Sequence, residues 1–214
     1  MRKNRTLVAL PVLLMFAAAP NLLAQRWELG AGAGGSFYTK QTVSSNAGSV
    51  ESQFKPGFGA TAFLGQNGNR LGGEIRYSFM RNEMELTGLG RSFKMSGRSQ
   101  AIHYDVLVFF SDGQSKVRPY VSVGGGIKQY SGTGADVAIQ PLGTIAVLTR
   151  TSEWKPMISA GAGVKFIAGN NWVFRAELRS YITQTPKEVV TPVNGKISGW
   201  TYQLMPVFTI SYLF

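Results

Sequence analysis

From residue 26 onward, apolar and polar residues alternate with a period of two, which places successive side chains on opposite faces of an extended strand. Residues 26–40 set Trp27, Leu29, Ala31, Ala33 and Phe37 on one face, against Glu28, Tyr38, Lys40 and several small residues on the other. Residues 54–65 align Phe54, Pro56, Phe58, Ala60, Ala62 and Leu64. In 71–81 the apolar face holds Ile75, Tyr77 and Phe79, and in 98–111 it holds Ile102, Tyr104, Val106, Val108 and Phe110. Segments 117–130, 153–168, 172–182 and 199–214 repeat the pattern. The alternation predicts eight strands, several with full charges in the middle of the polar face.

Alternation alone fits two architectures. A soluble sandwich turns its apolar face inward, whereas a membrane barrel turns it to lipid and keeps the charges inside. The connections discriminate between them. Residues 66–70, 112–116 and 169–171 make short links, while 41–53, 82–97, 131–152 and 183–198 make long ones, and the two kinds alternate. Short inner turns and long outer loops are the barrel pattern. The tryptophans agree: Trp27 and Trp172 open strands at the inner interface, and Trp154 and Trp200 open strands at the outer one, all on the apolar face. An indole favours the headgroup level, where its N–H stays wet. The predicted class is all-β, an eight-stranded antiparallel up-and-down transmembrane β-barrel over residues 25–214, with both ends of the barrel chain at the periplasm.

The first 24 residues read differently. Arg2, Lys3 and Arg5 precede an apolar run over residues 7–19, interrupted by Pro11, with Pro20 and small residues following. A basic start, a dozen apolar residues and a small residue before a polar break describe a cleaved secretory signal, expected to end at Ala24. The run is shorter than the ~20 residues a membrane anchor needs. Cleavage lowers the formal charge from +11 to +8. The 26 glycines, 12% aromatic and 15% charged residues suit a chain that hides an apolar face behind a neutral mean. With no cysteine, disulfide and thiol chemistry are excluded.

The segments RPYVSVGGGI (118–127), ISAGAGVKF (158–166), NWVFRAELRSY (171–181) and the ending MPVFTISYLF (205–214) resemble the outer membrane protein beta-barrel domain family, the small OmpA-type and OmpX-type barrels. The resemblance spans the mature chain. It implies an outer-membrane location in a Gram-negative envelope and a carboxy-terminal strand, with Tyr212 and Phe214, that signals to the barrel-assembly machinery. The periplasmic peptidoglycan-binding domain of the OmpA type has no counterpart in these residues, so its tethering role is not expected.

Candidate chemistry lies on the polar faces, at Glu74, Arg76, His103, Asp105, Lys128, Lys165, Arg175, Glu177 and Arg179. Eight strands enclose an interior just wide enough for side chains, so charges placed there must pair. Arg175, Glu177 and Arg179 project from one face at steps of about 7 Å, as do Glu74 and Arg76. The expectation is a salt-bridge network that plugs the barrel of a structural or interaction protein, serving membrane integrity, adhesion or loop-mediated binding. The alternatives are a narrow gated pore for small solutes and, third, a lipid-acting enzyme built on His103 and Asp105 with Ser78 or Glu74. One histidine and no cysteine make a metal site implausible, and no cofactor is expected. The glycine run 30–35 is not followed by a helix and reads as small residues that let the sheet curl. The cations Lys40, Lys55, Arg81, Arg91, Lys94, Arg98, Arg150, Lys187 and Lys196 flank the long loops, where they suit lipopolysaccharide phosphates or a solvated rim rather than nucleic acid. The expected partners are outer-membrane lipid, lipopolysaccharide and the assembly machinery; the ligand of the loops is not legible.

Overall fold

The computed structural model describes residues 26–45, 48–133, 140–193, 195–196 and 199–214; the expected signal segment 1–24 lies outside them. In chain order the strands are β1 (Arg26–Tyr38), β2 (Gln41–Ser45), β3 (Gly48–Phe54), β4 (Gly57–Asn67), β5 (Leu71–Gly88), β6 (Arg91–Phe109) and β7 (Val117–Gly132). They continue with β8 (Ala146–Leu148), β9 (Ser152–Ala168), β10 (Trp172–Gln184), β11 (Val190–Pro192), β12 (Gly195–Lys196) and β13 (Trp200–Leu213). Eight of these form a ring of antiparallel neighbours, β1-β4-β5-β6-β7-β9-β10-β13, and β13 returns to β1. Closure reaches the last residue, because Trp27 N–H donates to the Phe214 carbonyl at 3.0 Å and Phe214 N–H to the Trp27 carbonyl at 2.9 Å. A closed ring leaves no unpaired strand edge, the condition for crossing hydrocarbon with strands.

The outer face is the predicted apolar one. Ile75, Tyr77, Ile102, Tyr104, Val106, Phe174, Leu204 and Phe208 are exposed there, while Glu74, Arg76, His103, Asp105 and Arg175 point inward and are buried. On β5 the outward residues run Ile75, Tyr77, Phe79 and then Arg81, Glu83, Glu85, whereas the inward ones run Glu74, Arg76, Ser78 and then Met80, Met84, Leu86. The period is unbroken, but the polarity exchanges faces after Phe79. On β6 the same exchange falls between Ile102 and Arg98. The outward apolar stretches 71–79 and 102–110 match the ~9–11 residues that a tilted strand needs to cross a bilayer.

This exchange corrects one expectation. Residues 82–97 are not a loop: β5 and β6 continue as a paired hairpin from Asn82↔Gly97 to Gly88↔Arg91. The hairpin closes through Leu89 and Gly90, both at positive φ (51° and 70°), the conformation of a two-residue turn whose twist matches the strands. A second correction concerns Phe54. It does not share the outward face with Phe58 but is buried, because the chain breaks at Lys55 and Pro56 and β3 pairs with the outer part of β5 (Phe54↔Met84) before β4 enters the ring.

The long connections on the outer side carry structure of their own. β2 pairs with β3, β12 with β2, and β8 with β11. Val43, Val50, Phe54, Met84, Leu86, Met95, Ile145, Leu148 and Val190 pack with Tyr38 and Tyr130 into an apolar core above the barrel. Outside the membrane, water surrounds the hairpins, so apolar residues turn inward and charges outward. On the inner side the links stay short; Gly68 N–H closes one onto the Leu71 carbonyl at 2.9 Å, and Gly169 turns another at φ 64°.

Candidate functional site

The lumen is filled in layers. At its inner end Leu107, Phe109 and Tyr120 form an apolar layer, with the Arg118 guanidinium 3.9 Å from the Phe109 ring centre. Above it lies one connected ionic network. Glu28 binds Lys165 at 2.9 Å and Arg175 at 2.6 Å, and Arg175 also reaches Glu74 at 2.8 Å. Glu74 holds Arg76 at 2.8 Å and Arg179 at 2.5 Å as well. Arg76 continues to Glu177 at 2.6 Å, and Arg179 to Asp105, which receives His103 Nδ1 at 3.0 Å. The network balances four carboxylates (Glu28, Glu74, Asp105, Glu177) with four cations (Arg76, Lys165, Arg175, Arg179). Neutral donors fill the remaining lone pairs: Tyr120 to Glu177 at 2.6 Å, Asn67 to Glu28 at 2.6 Å, and Ser211 to Glu28 at 2.5 Å. Ion pairing of this kind is what makes buried charge tolerable, since each unpaired ion would cost several kcal/mol.

The strand pattern explains how these groups meet. Phe63 turns inward from β4, and the guanidinium groups of Arg175 and Arg76 stand 4.0 and 4.7 Å from its ring centre. A Cβ at Gly30 would enter that ring, so glycine there lets Phe63 fill the floor of the network. Gly126 plays the same part for His103, whose Cα and Cβ occupy the space of a side chain there.

Of the nine residues read from sequence, eight join the network and Lys128 does not. Lys128 lies nearer the outer end, fully buried, where its Nζ donates to Tyr38 Oη at 3.0 Å and to Gln203 Oε1. The rings of Tyr38 and Tyr130 stand 4.7 and 4.8 Å from the ammonium. Below this cage Met80, Ala101, Met157, Tyr181, Met205 and Val207 form a second apolar layer.

The hydrolase constellation is not assembled from the residues proposed for it. Ser78 bonds Thr61 at 3.1 Å and Tyr181 at 3.2 Å, Glu74 is occupied by three arginines, and the serine that reaches the pair is Ser159, which donates to Asp105 rather than to His103. His103 donates from Nδ1 to Asp105, which leaves Nε2 buried without a hydrogen-bond partner among the described residues. Glu28 and Arg118 were absent from the sequence-derived set. Their signal was present, since each occupies the inward parity of its strand, but each stands near a strand end, where parity alone does not separate lumen from rim.

Trp27 and Trp172 lie at the inner end of the ring and Trp154 and Trp200 at the outer end, all between 43% and 54% exposed. Trp172 meets Tyr212 edge-on at 5.4 Å, and Phe214 is exposed beside the seam. At the outer rim Lys40 pairs with Glu51 at 2.9 Å, Lys55 with Glu85 at 2.6 Å and Lys94 with Glu83 at 3.1 Å. The hydrogen-bonded Glu83 carboxylate holds the Lys94 ammonium above its ordinary pKa. Arg81 and Arg98 face each other across β5 and β6, pointing outward, with no ion pair among the described residues.

A closed ring of strands, apolar outside and ionised within, defines the class: an outer-membrane β-barrel. The sequence model described as "Outer membrane protein beta-barrel domain" matches residues 7–205, and the chain belongs to that family. Among solved structures it is similar to Neisserial surface protein A, at 16% identity and TM-score 0.54, over 88% of this chain and 97% of that one. It is likewise similar to a major outer membrane protein from Thermus thermophilus, at 16% identity and TM-score 0.53, over 89% of this chain and 100% of that one. These likenesses show the fold. No curated protein matches the chain by sequence.

Proposed function

We propose that the protein is a non-enzymatic outer-membrane barrel whose lumen is a plug and whose work is done at its surfaces, in membrane integrity, adhesion or binding through the outer loops. The observation that carries this reading is the stacking of a charge-balanced, hydrogen-bonded network between two apolar layers, beneath a cap with its own apolar core. Opening a water path would separate buried ions from their partners and hydrate methionine and tyrosine layers at once. In this reading Trp27, Trp172, Trp154 and Trp200 form the aromatic girdle, and Tyr212 with Phe214 present the assembly signal to the barrel-assembly machinery. The outward Arg81 and Arg98 meet lipopolysaccharide phosphates at the boundary with the outer leaflet. His103 and Asp105 serve as an interior hydrogen-bonded pair, with no catalytic role. Planar-bilayer recording tests the plug. The wild type is expected to show no discrete conductance steps, and Arg175→Ala and Glu74→Ala, which leave both apolar layers and the cap in place, are expected to stay silent. Regular unitary steps in the wild type would establish a pore instead.

A further inference from the structure

At the inner end of the barrel, below the Phe109 layer, the three short turns surround an open bowl of about 660 Å³. Three cations line it, Arg26, Lys116 and Arg118, together with the uncharged polar residues Asn67, Asn69, Gln114 and Asn170. None of the described residues that line it is a carboxylate. That composition contrasts with the network above, where every cation has a carboxylate within reach.

Arg118 makes the contrast sharpest. Its side chain is buried, with the residue only 4% exposed, yet it forms no ion pair among the described residues. Its Nη2 donates to the carbonyl oxygens of Gly68 at 2.9 Å and Asn69 at 2.7 Å, and its Nε is buried with no hydrogen-bond partner among the described residues. The neighbouring carboxylates are already engaged: Asp112 with Arg70 at 2.8 Å, and Glu28 with Lys165, Arg175 and Ser211. Carbonyl dipoles offset only part of a buried guanidinium's charge, so the site gains when an anion enters.

We propose that this bowl is a binding site for the phosphate group of a small anionic molecule. Three cations around one cavity match a group that carries about two charges and several acceptor oxygens, and guanidinium donors suit such oxygens in paired, charge-assisted contacts. Gln114 and Asn170, both exposed at the rim, supply neutral donors and acceptors for the rest of the molecule. The volume lies within the ~300–1,000 Å³ of ligand pockets, larger than a bare oxyanion requires. The phosphate arrives either on a soluble phosphorylated compound or on the headgroup of a phospholipid from the adjoining leaflet. This inference is separate from the plug, because the bowl lies on the periplasmic side of the lowest apolar layer.

The test is an amide-shift titration by NMR of the barrel folded in maltoside micelles, following Gly68, Gly113 and Gly169. Inorganic phosphate and then glycerol 3-phosphate are titrated in, with glycerol as the uncharged control; a parallel sample has phosphatidylglycerol added to the micelles, with diacylglycerol as its control. Saturable shifts of these glycines by the soluble phosphates identify the soluble source. Shifts by phosphatidylglycerol alone identify the headgroup. In either case the double variant R26Q/K116Q, which changes only exposed side chains, is expected to bind about tenfold more weakly or worse, and the outer-rim variant R91Q/K94Q is expected to bind as the wild type does. Absence of shifts with every phosphate, shifts equal to those of the uncharged controls, or full binding by R26Q/K116Q would overturn the proposal.

Discussion

Glu74 receives three guanidinium groups, from Arg76 on its own strand and from Arg175 and Arg179 on the far side of the ring. Truncating it leaves three buried cations short of a partner, so Glu74→Ala is expected to cost about 3–5 kcal/mol in folding free energy. Lys40→Ala breaks the exposed Lys40–Glu51 pair and is expected to cost under about 1 kcal/mol. Urea unfolding of both variants in lipid vesicles, read by tryptophan fluorescence, checks the contrast. Similar losses in the two would mean that the lumen is wet enough to screen its charges. At this scale the sequence marks which residues face inward, because parity is local. It does not mark who pairs with whom: Arg175 meets Glu28 from 147 positions away and Glu74 from 101.

At the scale of the strand, the informative event on β5 and β6 is the exchange of polarity at constant period. An outward residue below the exchange faces lipid, and one above it faces water. Val106→Arg, within the apolar stretch, is expected to destabilise the barrel by about 2–4 kcal/mol. Ser96→Arg, on the same face of the same strand but beyond Arg98, is expected to change stability by less than about 0.5 kcal/mol. Equal costs in the same vesicle assay would place the membrane boundary elsewhere. The extension 82–97 was illegible as strand for a physical reason: the inward Met84, Leu86 and Met95 and outward Glu83, Glu85 and Lys94 reverse the polarity used to recognise the lower half. Phe54 was misplaced for a related one, since the break at Lys55 and Pro56 shifts its parity relative to β4.

At the scale of the whole molecule, the barrel and its outer cap rest on different physics. The barrel is held by ring closure, lipid contact and the ionic lumen, whereas the cap is held by an apolar core in water, in which Leu86 is fully buried. Leu86→Asp places an unpaired charge in that core and is expected to loosen the outer segments without opening the ring. Trypsin added to intact cells then cuts sites such as Lys40, Lys55 and Arg91 faster than in the wild type, while the heat-dependent gel mobility of the barrel persists. Loss of that mobility shift in L86D would mean that cap and barrel fold as one unit.

Period-two alternation, the spacing of the short links and the closing run to Phe214 were enough to determine the fold class, the eight-strand count and the inward position of Glu74, Arg76, His103, Asp105, Lys165, Arg175, Glu177 and Arg179. Each of these follows from the direction of a Cβ on its own strand, which the local chain sets. The tertiary structure alone decided the rest: the seam between Trp27 and Phe214, the separation of Lys128 into a tyrosine cage, the apolar core above the membrane and the cation-lined bowl beneath it. Those features depend on register between strands and on which ends of the ring meet water. Ring closure brings together groups more than a hundred positions apart, and no local pattern of side chains encodes that distance.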